Sequence, residues 1–193
     1  MSLSLETDEN LMMRFGRGEA AAFEFLYRRH ELKIFRYLQR NVKSEASAND
    51  LMQDVWFAVV RGAANYQPTA KFTTWLFTIA HNRVVDMIRA NRRLQSLDVR
   101  DAADPEGSSL LDRLGVDENL EPLAQVQSQH EAAAILNAVS QLPAEQRSAF
   151  LLQAEGGLSV EEIADATGAN FETVKSRLRY ARAKLRQLLW EYA

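Results

Sequence analysis

The stretch Leu158-Ser-Val-Glu-Glu-Ile-Ala-Asp-Ala-Thr-Gly-Ala-Asn-Phe-Glu-Thr-Val-Lys-Ser-Arg-Leu178 decides how this chain is read. Ser159 followed three residues later by Glu162 is a capping box, in which each residue satisfies a backbone or side-chain group of the other at a helix start. It predicts a helix over 160–167. Gly168 supplies the stop, and Asn170 can cap a second helix from Phe171 to about Trp190. Ile163, Ala164, Val174 and Leu178 are spaced to bury the contact between these helices, the form of a helix-turn-helix. In that geometry the second helix enters the major groove and its N-terminal half faces base edges. The residues so placed are Lys175, Ser176, Arg177 and Arg179, while Arg182, Lys184 and Arg186 lie further along, where phosphates are met. A solvated basic face on a packed helix is the alternative. Six cations in this helix against Glu172 and Glu191 speak for nucleic acid rather than mere solubility.

Working outward, apolar residues recur at spacings of three and four through most of the chain and strand signals are scarce, so the fold class is all-α. A short helix is predicted from Asp8 to Arg17, ended by Gly16 and Gly18. A long one follows from Glu19 to about Val42, with Ala22, Phe23, Leu26, Tyr27, Ile34, Tyr37 and Leu38 on its buried faces. A third runs from about Ser47 to Arg61, and a fourth from near Phe72 to about Arg93. Asp-Pro, Glu-Gly-Ser-Ser, Leu-Gly and Glu-Pro punctuation then breaks the pattern, which marks a flexible linker. Helical periodicity returns from about Val126 to Gln141, and Leu142-Pro143 opens a further helix that ends at Gly156-Gly157. Two small helical domains result: residues 1–95, an acidic linker over 96–125, and residues 126–193.

The 193 residues, 47% hydrophobic and 25% charged, suit a soluble globular chain. Its net charge of −3 is unevenly spread. Residues 98–121 hold eight acids against Arg100 and Arg113, a local charge of −6, so the remainder carries +3. The absence of cysteine excludes disulfides, thiolate zinc sites and Cys nucleophiles. No apolar run approaches the ~20 residues of a membrane helix, and the start is acidic rather than basic and then apolar. A cytoplasmic chain without membrane insertion is expected.

Two further segments carry chemistry. Phe72-Thr-Thr-Trp-Leu-Phe-Thr-Ile-Ala-His-Asn-Arg83 sets aromatics beside base-reading residue types and leads into the basic run Arg89–Arg93. Aromatic faces stack on unpaired bases, and Asn and Arg bond base edges or phosphates. The same spacing of Phe72, Trp75, Leu76 and Ile79 is that of a helix core, so each aromatic has two readings. In Asp50-Leu-Met-Gln-Asp-Val-Trp-Phe57, Asp50, Gln53, Asp54 and Phe57 share one helical face and Leu51, Val55 and Ala58 another. The polar face suits a basic helical partner, or is an ordinary solvated surface.

Taken in order, the Asp50 motif, the Phe72 motif, a basic helix end, a linker, Leu-Pro-Ala-Glu-Gln-Arg and Thr-Val-Lys-Ser-Arg-Leu resemble the extracytoplasmic-function (group IV) sigma factors of bacteria, part of the sigma-70 family. The resemblance covers nearly the whole chain. It implies that residues 1–95 are a sigma-2 domain and 126–193 a sigma-4 domain. It implies that Asp50, Leu51, Gln53, Asp54 and Trp56 bind the clamp helices of the RNA polymerase beta-prime subunit, with the beta flap as a second polymerase contact. The loop from about Asn65 to Lys71, with Tyr66, Lys71, Phe72, Trp75, Asn82 and Arg83, matches the part that melts the −10 element and captures a flipped base. Lys175, Ser176, Arg177, Arg179, Tyr180 and Arg182 match the −35 recognition helix. Arg179 and Tyr180 fall where family members vary, so the promoter sequence does not carry over. The family resemblance further implies control by an anti-sigma factor in a stress or envelope response, and a linker that runs toward the RNA exit path.

An enzyme reading fails on content. His30, His81 and His130 are widely separated with no metal-ligand spacing, so no metal or cofactor is expected and each histidine is read as structural or solubilising. A DNA-binding regulator using only the terminal helix-turn-helix is the runner-up, but residues 1–95 lack the alternating strand and helix pattern of a ligand or phosphoacceptor domain. A protein that sequesters another factor is the third class. Two domains of this kind, when isolated, can pack together and mask their DNA faces.

Overall fold

Backbone capping sets most of the helix limits. A computed structural model describes residues 5–42, 44–98 and 132–190, without the side chains of 94–98. Helix α1 (Asp8–Gly16) starts at Thr7, whose hydroxyl accepts from the Asn10 N–H at 3.3 Å. After a tight turn through Gly18 (φ 99°), α2 runs Ala20–Asn41. Helix α3 (Glu45–Gly62) is capped by Ser44 and passes through a short 3-10 turn, Ala63–Asn65. Helix α4 (Phe72–Asp98) is capped from outside its own segment: the Phe72 N–H donates to the Glu9 carboxylate of α1 at 2.7 Å. Its backbone continues past the expected end at Arg93, since neither Gly nor Pro interrupts residues 94–98.

The second group begins with α5 (132–140) and α6 (Ala144–Ala154), the latter entered through Pro143 as the sequence predicts. Helix α7 occupies Val160–Thr167, Gly168 adopts the left-handed conformation (φ 64°), and α8 runs Phe171–Leu189 from its Asn170 cap. The all-helical reading and the helix-turn-helix are therefore the observed architecture of the described residues. The acidic linker (96–125) and the first residues of the helix expected from Val126 fall almost wholly in 99–131, outside the described residues, as does His130.

The first four helices enclose Leu26, Ile34, Leu38, Val55, Val59, Phe72, Leu76 and Phe77, all fully buried. Phe23 and Tyr27 of α2 grip the Trp56 ring, with centroids 5.7 and 4.9 Å away. In the second group Leu151, Leu152, Ile163 and Val174 are equally buried. The two cores are continuous, because α4 packs on α7 and α2 on α6. At this seam a Cβ on Gly156 would come within 3.2 Å of Phe77, and within 2.7 Å of the Leu152 carbonyl oxygen. Only glycine permits so close an approach.

Candidate nucleic-acid and polymerase interfaces

The three surfaces named from sequence differ in how much of each is available. On α3, Asp50, Gln53 and Asp54 are exposed, and Phe57 stands 60% exposed beside them. Val60, 44% exposed, extends the apolar end of that face by one turn and was not singled out by the sequence pattern. Leu51 and Trp56 are corrections: they are 5% and 6% exposed and belong to the core. Helical geometry turns them about 100° away from the Asp50–Asp54 stripe, so they support that face from beneath.

In the Phe72 motif the structure divides the candidates sharply. Phe72 is fully buried between His30, Tyr66 and Trp75, so its ring belongs to the core and is not a face open to a base, contrary to the expectation from the motif. The α4 helix begins at Phe72, and its first-turn ring packs against His30 of α2 and Tyr66 of the preceding loop. Trp75 is half-buried, with its ring lying over Gly62 and edge-on to Tyr66 at 5.1 Å. Tyr66 is half-buried as well. Burial, then the charges of Glu9 and Asp8, push its phenol up to about 12. Lys71, Asn82 and the loop residues 67–70 remain exposed, and Arg83 is half-exposed.

On α8 Lys175, Arg179, Tyr180 and Arg182 are exposed and Ser176 is partly so. The Arg179 guanidinium lies 5.0 Å from the Tyr180 ring centre, and Lys175 sits between Glu172 and the Phe171 ring. Such stacking holds a cationic side chain extended along the helix surface. Arg182 donates to Gln153 of α6. Arg177 differs from its neighbours: its side chain is only 23% exposed and is paired with Glu145 in the first turn of α6.

Sequence reasoning did not find the polar groups that join the two halves. Tyr37 Oη, His81 Nδ1 and Ser148 Oγ form a closed triangle with sides of 3.0 to 3.1 Å, drawing one member from each of α2, α4 and α6. Arg40 is paired with Glu155 along the same seam. Glu162 serves twice. One carboxylate oxygen accepts the Ser159 N–H at 2.8 Å and completes the capping box, while the other meets Thr74 Oγ1 at 3.0 Å and Lys71 Nζ at 3.2 Å. The Ser159 backbone bond, reinforced by Lys71 and Thr74, holds its carboxyl below the usual range against the opposing effect of burial. The sequence carried a signal for the cap alone, since its second set of partners is 88 and 91 residues away.

His30, the other described histidine, is structural: Nε2 meets Asp8 at 2.6 Å, and Arg29 donates to the other oxygen at 2.7 Å. Burial alone would push the Asp8 carboxyl up, but these two partners more than reverse it and the net direction is down.

A helical body with a terminal helix-turn-helix and a cationic recognition face is a DNA-binding protein of the transcription-factor class. Two family models match it in sequence order: Sigma-70 region 2 over residues 26–94 and Sigma-70 region 4 over residues 132–185. The chain is 33% identical to the RNA polymerase sigma factor CarQ of Myxococcus xanthus, over 93% of this chain and 96% of that one. It is 32% identical to the ECF RNA polymerase sigma factor RpoE of Cereibacter sphaeroides, over 94% of each. The chain belongs to the sigma-70 family, in its extracytoplasmic-function branch. Its fold is also that of CnrH, solved in complex with the cytosolic domain of CnrY (TM-score 0.67, 23% identity, 97% of this chain and all of that one). The sigma factor RpoE of Bartonella quintana, solved with the anti-sigma factor NepR, is similar in fold (TM-score 0.65, 22% identity, 86% of this chain and 96% of that one). Members of this family are transcription regulators, and no helix among the described residues is long and apolar enough to cross a membrane.

Proposed function

We propose that this chain directs core RNA polymerase to promoters, reading the −35 element as duplex through α8 and holding the opened −10 strand through the loop 65–71 with Asn82 and Arg83. The observation that carries the reading is the co-occurrence, on one chain, of the exposed α8 cations and the exposed acidic α3 face. Lys175, Arg179, Tyr180 and Arg182 present donors and a ring where base edges and phosphates lie in a helix-turn-helix complex. Asp50, Gln53 and Asp54, with Phe57 beside them, suit a basic helical partner, the beta-prime clamp helices. Residues 1–95 act as the polymerase and −10 module and 126–193 as the −35 module, tethered by 96–125.

The protein works in the cytoplasm and catalyses no bond change itself. An anti-sigma factor restrains it, a reading supported by the RpoE of Bartonella quintana, which was solved with the anti-sigma factor NepR. Reconstituted transcription tests the proposal. Core polymerase with this chain should give discrete run-off products from a genomic promoter library, and Asp54→Lys should abolish both those products and co-purification with polymerase. Specific duplex binding with no transcription would favour a regulator that is not a polymerase subunit.

A further inference from the structure

The seam between the two halves engages groups that promoter recognition needs. Lys71 of the −10 loop is paired across the seam with Glu162 of α7, and the Arg177 charge of the recognition helix acts on His81 of α4, while its carboxylate partner Glu145 lies on α6 of its own half. By their own labels the −10 and −35 elements lie about 25 base pairs apart, roughly 85 Å of duplex at ~3.4 Å per pair. A compact chain of this length has a radius of gyration of about 16 Å. The packed arrangement therefore does not reach both elements, and the seam has to part.

We propose that the Tyr37–His81–Ser148 triangle is an acid-sensitive catch that keeps the two domains closed when its imidazole is neutral and releases them when it is protonated. The inference rests on the promoter-reading function proposed above. A neutral imidazole carrying its proton on Nε2 offers the one lone pair of Nδ1 to one of the two hydroxyls, which in turn accepts from the other. Each hydroxyl is buried, so all three groups depend on one another for hydrogen bonds. Protonation turns the acceptor into a donor and places a cation in a site with little water.

Among the described residues the surroundings offer that cation two neutral hydroxyls and no anionic partner. From α2 it faces Tyr37, whose hydroxyl burial holds far above its ordinary range and therefore neutral. From α6 it faces Ser148, with Arg147 adjoining in sequence and Glu145 already committed to Arg177. From α8 it faces the Arg177 charge itself. Among the described residues no carboxylate is hydrogen-bonded to the ring. Burial first and Arg177 second lower the imidazole's affinity for a proton while the seam is closed. Once parted, the ring returns to its ordinary value of about 6.5. The catch thus contributes fully above about pH 6.5 and is lost as the pH falls through the lower, closed-state value.

The chain has no cysteine, so two labels can be placed without background. Spin labels on Ala46→Cys and Ala183→Cys, both exposed and away from the seam, report the separation of the halves in the full-length chain. At about pH 8 a single short distance is expected, and at about pH 5.5 a longer and broader distribution with unchanged far-ultraviolet circular dichroism. His81→Gln, neutral at both values, should keep the short distance throughout. Affinity for a −35 duplex should rise by up to about tenfold between about pH 8 and about pH 5.5 in the parent, the most that a ring titrating at its ordinary ~6.5 once parted can contribute over that interval, and stay flat in His81→Gln.

An invariant distance in the parent overturns the catch. So does opening that accompanies helix loss, or a full pH response in a folded His81→Gln chain. If that variant does not fold, the parent's distances decide the matter alone. Distances that open as described, with no specific duplex binding at any pH, would uphold the catch and refute the promoter reading instead.

Discussion

The N-terminal turns of α4 and of α8 were both read as nucleic-acid surfaces, and they fold in opposite ways. In α4 the aromatic residues point inward: Phe72 and Phe77 are fully buried and Trp75 is wedged over Gly62. In α8 the cations point outward, with Lys175, Arg179 and Arg182 exposed and Val174 and Leu178 beneath them. The difference follows from what each side chain loses on burial. An aromatic ring gains by leaving water, whereas an Arg or Lys is buried only with a partner. In this chain the aromatic-rich turns of α4 are thus largely scaffold beneath their few polar members, while the cationic helix exposes its polar groups. Arg177 shows the rule from the other side: it is paired with Glu145 of a neighbouring helix and is only 23% exposed, whereas Lys175, whose partner Glu172 is on its own helix, stays exposed.

The sharpest way to break this comparison is Phe72→Ala. If the ring is scaffold, unfolding in denaturant should show a loss of ~3–5 kcal/mol, with DNA affinity per folded molecule little changed. Unaltered stability with impaired strand opening would return Phe72 to the DNA surface. Next in size is Arg179→Ala, which should leave stability within ~0.5 kcal/mol and weaken −35 binding by ~1–3 kcal/mol with relaxed discrimination at one base pair. An equal loss on every duplex sequence would assign it to phosphate. Arg177→Ala, which removes the pair with Glu145 of α6, should cost up to about 1 kcal/mol of stability, in contrast with Arg179.

Smaller effects test the caps. Ser159→Ala removes half of the capping box and should cost ~1 kcal/mol of unfolding free energy, measured by denaturant titration. Because its partner Glu162 also bridges to Thr74 and Lys71, the same variant should loosen the seam, which a cap acting alone would not do. For the first domain, the Asp8 carboxyl is held below its ordinary value in the fold, so its contribution is present above about pH 4 and lost as the pH falls lower. Asp8→Asn should flatten the acid limb of the stability profile. A profile unchanged from the parent would show that the contacts with His30 and Arg29 contribute little.

Local features were legible in the sequence. The α7 limits, Val160–Thr167, coincide with the reading because a serine, a glutamate and a glycine specify them within ten residues. The start of α4 at Phe72 was also read correctly, although its actual cap, Glu9, lies 63 residues away. Its end was read short. The α3 face was legible in part: periodicity grouped Asp50, Gln53, Asp54 and Phe57, while the resemblance added Leu51 and Trp56, which the fold buries.

By itself the sequence determined an all-helical chain, its helix-turn-helix, its acidic and basic faces and its family, since these rest on capping, periodicity and motifs encoded within a few turns. Only the tertiary structure decided which motif aromatics are core, that Arg177 is held back, and that Tyr37, His81 and Ser148 meet across a seam. The contacts of that triangle join residues 44 to 111 positions apart, and Arg177 meets Glu145 across 32. Which of several equivalent helix faces packs against which is a property of the assembled core, and no local pattern contains it.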